Sequence, residues 1–207
     1  MKKFELTAEF VTNVFGKKLF RIKALVAFGN VEKGELGGFI EKEDNLSHDG
    51  NAWVSGNAWV SGNAQVSGNA WVSGDAQVYG NAWVYGNAQV SGDAQVSGDA
   101  RVSGNAWVSG NAQVSGDAWV YGNAQVYGNA QVSGDADYAV VKGFGRCFRT
   151  TTFFRCKDKI LRVQCGCFYG DLAQFREIVK KTHGDRKYAK EYLAIADLME
   201  LHFSDEY

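Results

Sequence analysis

Proline is absent from the 207 residues, methionine occurs twice and histidine three times. Without proline there is no proline-rich linker and no collagen-like segment. No apolar run approaches the roughly 20 residues that cross a bilayer, which argues against a membrane-spanning helix. The Met-Lys-Lys start leads into Phe4-Glu5-Leu6 rather than a long apolar segment, so a secretory leader is not expected and the expected location is cytoplasmic. Neither sign of charge dominates: 22 basic and 23 acidic residues leave a net charge of −1. That balance provides no global field for non-specific attraction to nucleic acid or membrane surfaces. Walker A, dinucleotide-fingerprint and metalloprotease-helix patterns are missing as well. In contrast, there are 25 glycines, six Trp, nine Tyr and thirteen Phe, too many aromatics for a disordered chain.

Residues 51–134 are fourteen uninterrupted copies of one hexapeptide, [Asn/Asp]-Ala-x-Val-[Ser/Tyr]-Gly. Fixed-period self-similarity is the signature of a repeat architecture. In an extended segment Ala and Val, two apart, point to one face, while x and Ser/Tyr point to the other. Gly followed by Asn or Asp supplies a corner, because these residues tolerate positive φ. Three such sides close a triangular coil of about 18 residues, and stacked coils share one apolar column. Each buried Val in that column contributes roughly 1.5–3 kcal/mol.

This unit resembles the hexapeptide repeat of left-handed parallel β-helix proteins. The resemblance implies an all-β solenoid of triangular coils and supplies its handedness. It also implies side-by-side assembly, with a trimer favoured. The expected organisation is an N-terminal β cap with a degenerate first coil (1–50), the β-helix (51–137), and a small C-terminal α+β module of a hairpin and two helices (138–207).

Residues 18 apart stack, so the x positions sort into three ladders. The first reads Trp53, Trp71, Gln89, Trp107, Gln125; the second Trp59, Gln77, Gln95, Gln113, Gln131; the third Gln65, Trp83, Arg101, Trp119. Tyr85 and Tyr121 join the third, placing four aromatics around Arg101, the only basic residue of the repeat. Outward aromatics and Gln make good cross-coil ladders in their own right. Aromatics with Arg are also enriched in binding hot spots. Trp83, Tyr85, Arg101, Trp119 and Tyr121 are therefore the candidate ligand- or partner-binding residues, and Trp53, Trp71 and Trp107 the candidate oligomer interface. One Arg against Asp75, Asp93, Asp99 and Asp117 makes the repeat a poor polyanion surface.

Before the repeat, Asn45-Leu46-Ser47-His48-Asp49-Gly50 reads as a degenerate coil with Leu46 and His48 inward. Lys18–Phe28 is strand-like, and Gly37-Gly38-Phe39-Ile40 reads as a turn. After it, Arg149–Arg155 and Ile160–Gln164 form a hairpin. Asp171-Leu172-Ala173-Gln174 opens a helix with a capping box, Gly184 stops it, and Asp185 is expected to cap a second. Cys165–Gly170 and Thr182–Asp185 resemble a module of bacteriophage and prophage proteins.

Cys147, Cys156, Cys165 and Cys167 have the number of ligands a zinc site needs but not the spacing of familiar zinc modules, so they are read as structural core residues. No metal or other cofactor is expected. Acyltransferases of the hexapeptide family use a His as general base, yet no His and no excursion loop lies within 51–134. The expected function is a non-enzymatic, phage-encoded oligomeric scaffold that inhibits a host defence system by binding a host protein or sequestering a small nucleotide. The alternatives are an acyl-CoA-dependent acyltransferase and a virion component.

Overall fold

The computed structural model describes residues 1–204. An N-terminal hairpin, β1 (Phe4–Thr12) and β2 (Lys18–Ala24), is followed by β3 (Leu36–Ile40). Fourteen two-residue strands come next, one every six residues, from β4 (Trp53–Val54) to β17 (Gln131–Val132). The chain closes with β18 (Tyr138–Phe144), β19 (Arg149–Arg155), β20 (Leu161–Cys165), β21 (Phe168–Asp171), α1 (Leu172–His183) and α2 (Lys187–His202). No helix among the described residues is long and apolar enough to cross a membrane.

The coil strands stack in parallel into three sheet faces, and every pairing joins residues 18 apart, as in Trp71↔Gln89↔Trp107 and Trp83↔Arg101↔Trp119. Every Ala and Val of the repeat is fully buried in one column. Glycines Gly56 to Gly128 turn the corners with φ between +63° and +74°, where a Cβ would be strained. Beside them runs an amide ladder: Asn51, Asn69, Asn87 and Asn105 each pass an Nδ2–H to the next Oδ1 at 3.0–3.3 Å, and Asn123 is the last acceptor.

Stacking is polar along the axis. Backbone N–H groups at the x, Ser/Tyr and Asn/Asp positions donate upward to carbonyls of the following coil, as in Trp53 N to Ala70 O. The first coil therefore presents carbonyls without a coil beneath them, and the last presents N–H groups without one above. The ends are closed accordingly. Below, the buried Lys3 Nζ donates to Ala52 O (2.9 Å) and Gly50 O (3.4 Å), and Asn45 Nδ2 donates to Ala64 O (2.8 Å) and Gly62 O (3.2 Å). Burial lowers the Lys3 pKa to about 8, against the attraction of Asp49. Above, Thr152 Oγ1 accepts from Gln125 N (3.0 Å) and Asp135 Oδ1 from Trp119 N (2.9 Å). These carbonyls below thus receive donors and these N–H groups above receive acceptors, while the Tyr138 hydroxyl covers the upward Trp119 carbonyl.

The segment read as a turn at Gly37–Ile40 is instead strand β3, which pairs antiparallel with β2 and parallel with the coil at Phe39↔Trp59. Its glycines serve close approach: a Cβ on Gly37 would meet Val54 O at 2.6 Å, and one on Gly38 would meet Ala58 O at 2.4 Å. The hairpin thereby extends the second face into an eight-stranded sheet.

The degenerate coil differs from its expected register by two residues. Leu46 lies in the column but bridges Val66, and Ser47 N donates to Val66 O, whereas Asn51 rejoins the regular spacing with its bond to Gly68 O. His48 and Asp49 are thus an insertion, and His48 points out of the column, half-buried.

At the other end β18–β21 form a four-stranded antiparallel sheet rather than a single hairpin. Alternation along β19 serves two cores. Phe154 and Cys156 close the Ala/Val column, while Phe153 joins Val163, Phe175, Tyr192 and Ile195 under the helices. α1 carries the expected cap, Asp171 Oδ1 accepting from Gln174 N (2.8 Å) with the reciprocal bond at 3.0 Å. α2 is preceded by Arg186 as N-cap, with no side-chain cap, rather than by Asp185.

Candidate functional site

The third face is flat because four strands of equal length stack with no insertion. Its x side chains emerge on one side of each two-residue strand, while Val on the other side fixes the backbone against the column. Trp83, Trp119 and Tyr121 are 47%, 41% and 57% exposed, Arg101 is exposed between the two indoles, and Tyr85 is half-buried. The Arg101 guanidinium lies 5.7 Å from the Trp83 ring centroid, within cation–π range. Trp119 packs against Tyr121 with centroids 5.3 Å apart.

Three of the tryptophans, one of them on this face, are held from below. Trp119 Nε1 donates to Ser103 Oγ (3.1 Å), Trp107 to Ser91 (3.3 Å) and Trp71 to Ser55 (3.1 Å). Each partner is the Ser sixteen residues earlier, on the preceding coil, a pairing the sequence reading missed although the spacing carries it. Such indoles are pre-oriented, so little side-chain entropy remains to be lost on contact.

Each end of this face opens into a cleft. One of about 430 Å³ lies beside Tyr121, Asp135 and Tyr138. There the Tyr138 hydroxyl donates to the Trp119 carbonyl, and burial raises the pKa of its phenol well above the ordinary range. The other cleft, about 590 Å³, is lined by Glu43, Asp44, His48 and Asp49. His48 stacks on Phe4 (4.3 Å), accepts the Lys3 N–H at Nδ1 (3.2 Å), and has Nε2 3.7 Å from Glu43. Glu43 is held below the usual carboxylate range, chiefly by Lys2 at 2.6 Å. Both ring nitrogens of His48 thus face groups of its own cap.

One residue of the first face departs from its expected role. Trp53 is completely buried under the N-terminal cap, its ring 5.4 Å from Phe28, so it does not belong to an exposed interface. Trp71 is half-buried, leaving Trp107 (39% exposed, 5.7 Å from Tyr127) as the prominent residue. On the second face an unforeseen cluster forms where the hairpin tip overhangs the coils. Phe15 meets Tyr79 at 5.4 Å, and Tyr79 stacks on Trp59 at 5.6 Å.

The four cysteines are free and do not converge. Cys156 is buried on the prism side of the sheet, while Cys147, Cys165 and Cys167 border a cavity on its helix side. Cys167 was expected to be a core residue beside Cys165, but the strand ends at Cys165 and Cys167 is exposed in the turn. No group of three or more His, Cys, Asp or Glu among the described residues is placed to hold a metal ion. Burial pushes the Cys156 thiol up to about 11, from 9.0. At neutral pH this leaves about a hundredfold less thiolate than in an ordinary cysteine. Iodoacetamide should therefore label Cys147 and Cys167 at least about a hundredfold faster than Cys156, read by peptide mass spectrometry; equal rates would contradict the placement.

Residues 64–76, 76–92, 94–110 and 112–128 match the family described as the YdcK beta solenoid repeat. The coils are similar to YdcK solenoid repeats. No curated protein matches the chain. The YdcK-type match covers the stretch that carries Trp71, Trp83, Arg101, Trp107, Trp119 and Tyr121, and it stops short of the C-terminal module.

Proposed function

We propose that the protein is a non-enzymatic, oligomeric binding scaffold whose third face receives a partner. The observation that carries this reading is the exposed row Trp83–Arg101–Trp119–Tyr121, in which Arg101 lies over Trp83 and Trp119 is tied to Ser103 of the coil beneath. Scattered apolar residues on a surface need no explanation, but a contiguous aromatic row on a rigid sheet favours an interface. Self-association falls to the first face around Trp71 and Trp107, with a trimer as the favoured stoichiometry. A phage origin, suggested by the resemblance of the C-terminal motifs, would make the partner a host defence protein or a signalling nucleotide in the bacterial cytoplasm.

Native mass spectrometry of the wild type and of Trp107→Ala tests the assembly: a trimer or larger is expected, with subunits lost in the variant. Affinity capture from host lysate tests the partner face. Trp83→Ala/Arg101→Ala/Trp119→Ala should lose what the wild type retains, by roughly 2 kcal/mol or more per anchor. A monomeric wild type ends the oligomer reading, and identical captured material ends the assignment of the third face.

A further inference from the structure

The C-terminal module contains a cavity of about 340 Å³ between the turns at one end of its sheet and α1. Two stretches singled out in the sequence meet there: Cys165, Cys167 and Phe168 from the β20–β21 turn, and Thr182 and His183 from the end of α1. The floor is apolar, built on Phe168, Phe175 and Val179. The rim is cationic, with Arg146 and Arg149 from the β18–β19 turn, and no carboxylate lines it. The neighbouring acid, Glu191, is engaged elsewhere, accepting the Gly145 N–H (3.0 Å) and facing Lys187 (3.5 Å). Neither Arg146 nor Arg149 is ion-paired among the described residues.

These walls are set rather than loose. A Cβ at Gly166 would lie 2.3 Å from Arg149 Nη1, so the missing side chain is what lets the guanidinium rest on that turn. The Tyr192 hydroxyl donates to Phe144 O (3.2 Å), and His183 stacks on the Tyr192 ring at 6.1 Å. Burial, with Cys165 nearby, pushes the Tyr192 phenol up to about 12, so it adds no negative charge. The turn bearing Arg146 is left-handed at both ends, Gly145 with φ 71° and Phe148 with φ 50°. That conformation is strained for an exposed Phe and persists only where the surroundings impose it.

We propose that this cavity binds a small organic anion, its phosphate or carboxylate held by Arg146 and Arg149 and its planar or apolar body seated on Phe168 and Phe175. A few convergent polar groups over an apolar floor is the usual build of a small-molecule site, and the volume lies at the small end of the range for such pockets. Paired guanidiniums suit either anionic group, because each presents a planar fork of donors. The site is independent of the third face, on the opposite side of β19 from the prism.

Cys147 and Cys167 border the cavity and report on its occupancy. Iodoacetamide labelling of the full-length protein, followed by peptide mass spectrometry, is compared with no addition, AMP, 2-naphthoate or inorganic phosphate. AMP or 2-naphthoate is expected to slow both thiols about fivefold or more while Cys156, across the sheet, is unaffected; which of the two protects identifies the anionic group. Arg146→Gln/Arg149→Gln should abolish protection, weakening binding roughly tenfold or more. Its circular dichroism should stay as in the wild type, and protection is read as the ratio of the variant's own labelling rates with and without additive, because loss of neighbouring guanidiniums changes the basal rate of Cys147. The proposal falls if neither organic anion protects, if inorganic phosphate protects as well as they do, or if the double variant remains protected.

Discussion

Val90→Asp should abolish cooperative folding of the coils, while Gln89→Asp, one residue earlier, should leave the melting profile nearly unchanged. The two residues form a single strand, yet Gln89 is exposed and Val90 is wholly enclosed by the Ala/Val column. An aspartate in that column meets only apolar side chains and has no cation or donor within reach. Burying an unpaired polar or charged group costs from about 2 to 7 kcal/mol upward, and a loss above about 4 kcal/mol removes much of a domain's stability. A substitution on the exposed side should stay within about 0.5 kcal/mol. Urea denaturation followed by circular dichroism reads the difference, and similar midpoints for the two variants would refute the inward–outward assignment.

Phe153→Ala and Phe154→Ala should each cost about 3–5 kcal/mol, the usual penalty for emptying a buried aromatic site, but in different parts of the molecule. Phe154 belongs to the cluster that closes the column, together with Tyr138 and Cys156, whereas Phe153 packs edge-on against Phe175 at 6.0 Å beneath the helices. Hydrogen exchange by mass spectrometry separates the effects. Phe154→Ala should speed exchange in the last coils, around Gln125–Val132. Phe153→Ala should speed it in α1 and α2 and leave the coils protected. If the same peptides respond in both variants, the module and the prism share one core and the two-core description is wrong.

The parts of the fold legible in the sequence are those set by short-range rules. A period of six with Ala and Val two apart determines which residues face the column, and stacking by 18 then places all three outward ladders, including the neighbours of Arg101. The Asp171–Gln174 box marks the start of α1 for the same local reason. What stayed hidden depends on distant partners. Trp53 is chemically identical to Trp83, and only Phe28 and the strand at Gly37 determine that one is covered and the other open. Asn45 and Gly50 preserve the hexapeptide spacing, so nothing nearby betrays that His48 and Asp49 are inserted between them. The candidate face was visible as composition. The tie from Trp119 to Ser103, like those from Trp71 and Trp107 to Ser55 and Ser91 on the first face, required knowing that an indole leans back across the coil below.

The axial polarity of the hydrogen bonding has a consequence for assembly. The carbonyls left open beneath the first coil and the N–H groups left open above the last are complementary to each other. Without its termini, the top of one prism would therefore accept the bottom of the next. The contact is heterologous and never closes, the geometry that gives filaments of indefinite length rather than rings. Lys3 and Asn45 at one end, and Thr152 and Asp135 at the other, each take the place of the coil that would have docked there. The flanking modules thus act as chain terminators for a polymer that the repeat would otherwise be free to grow.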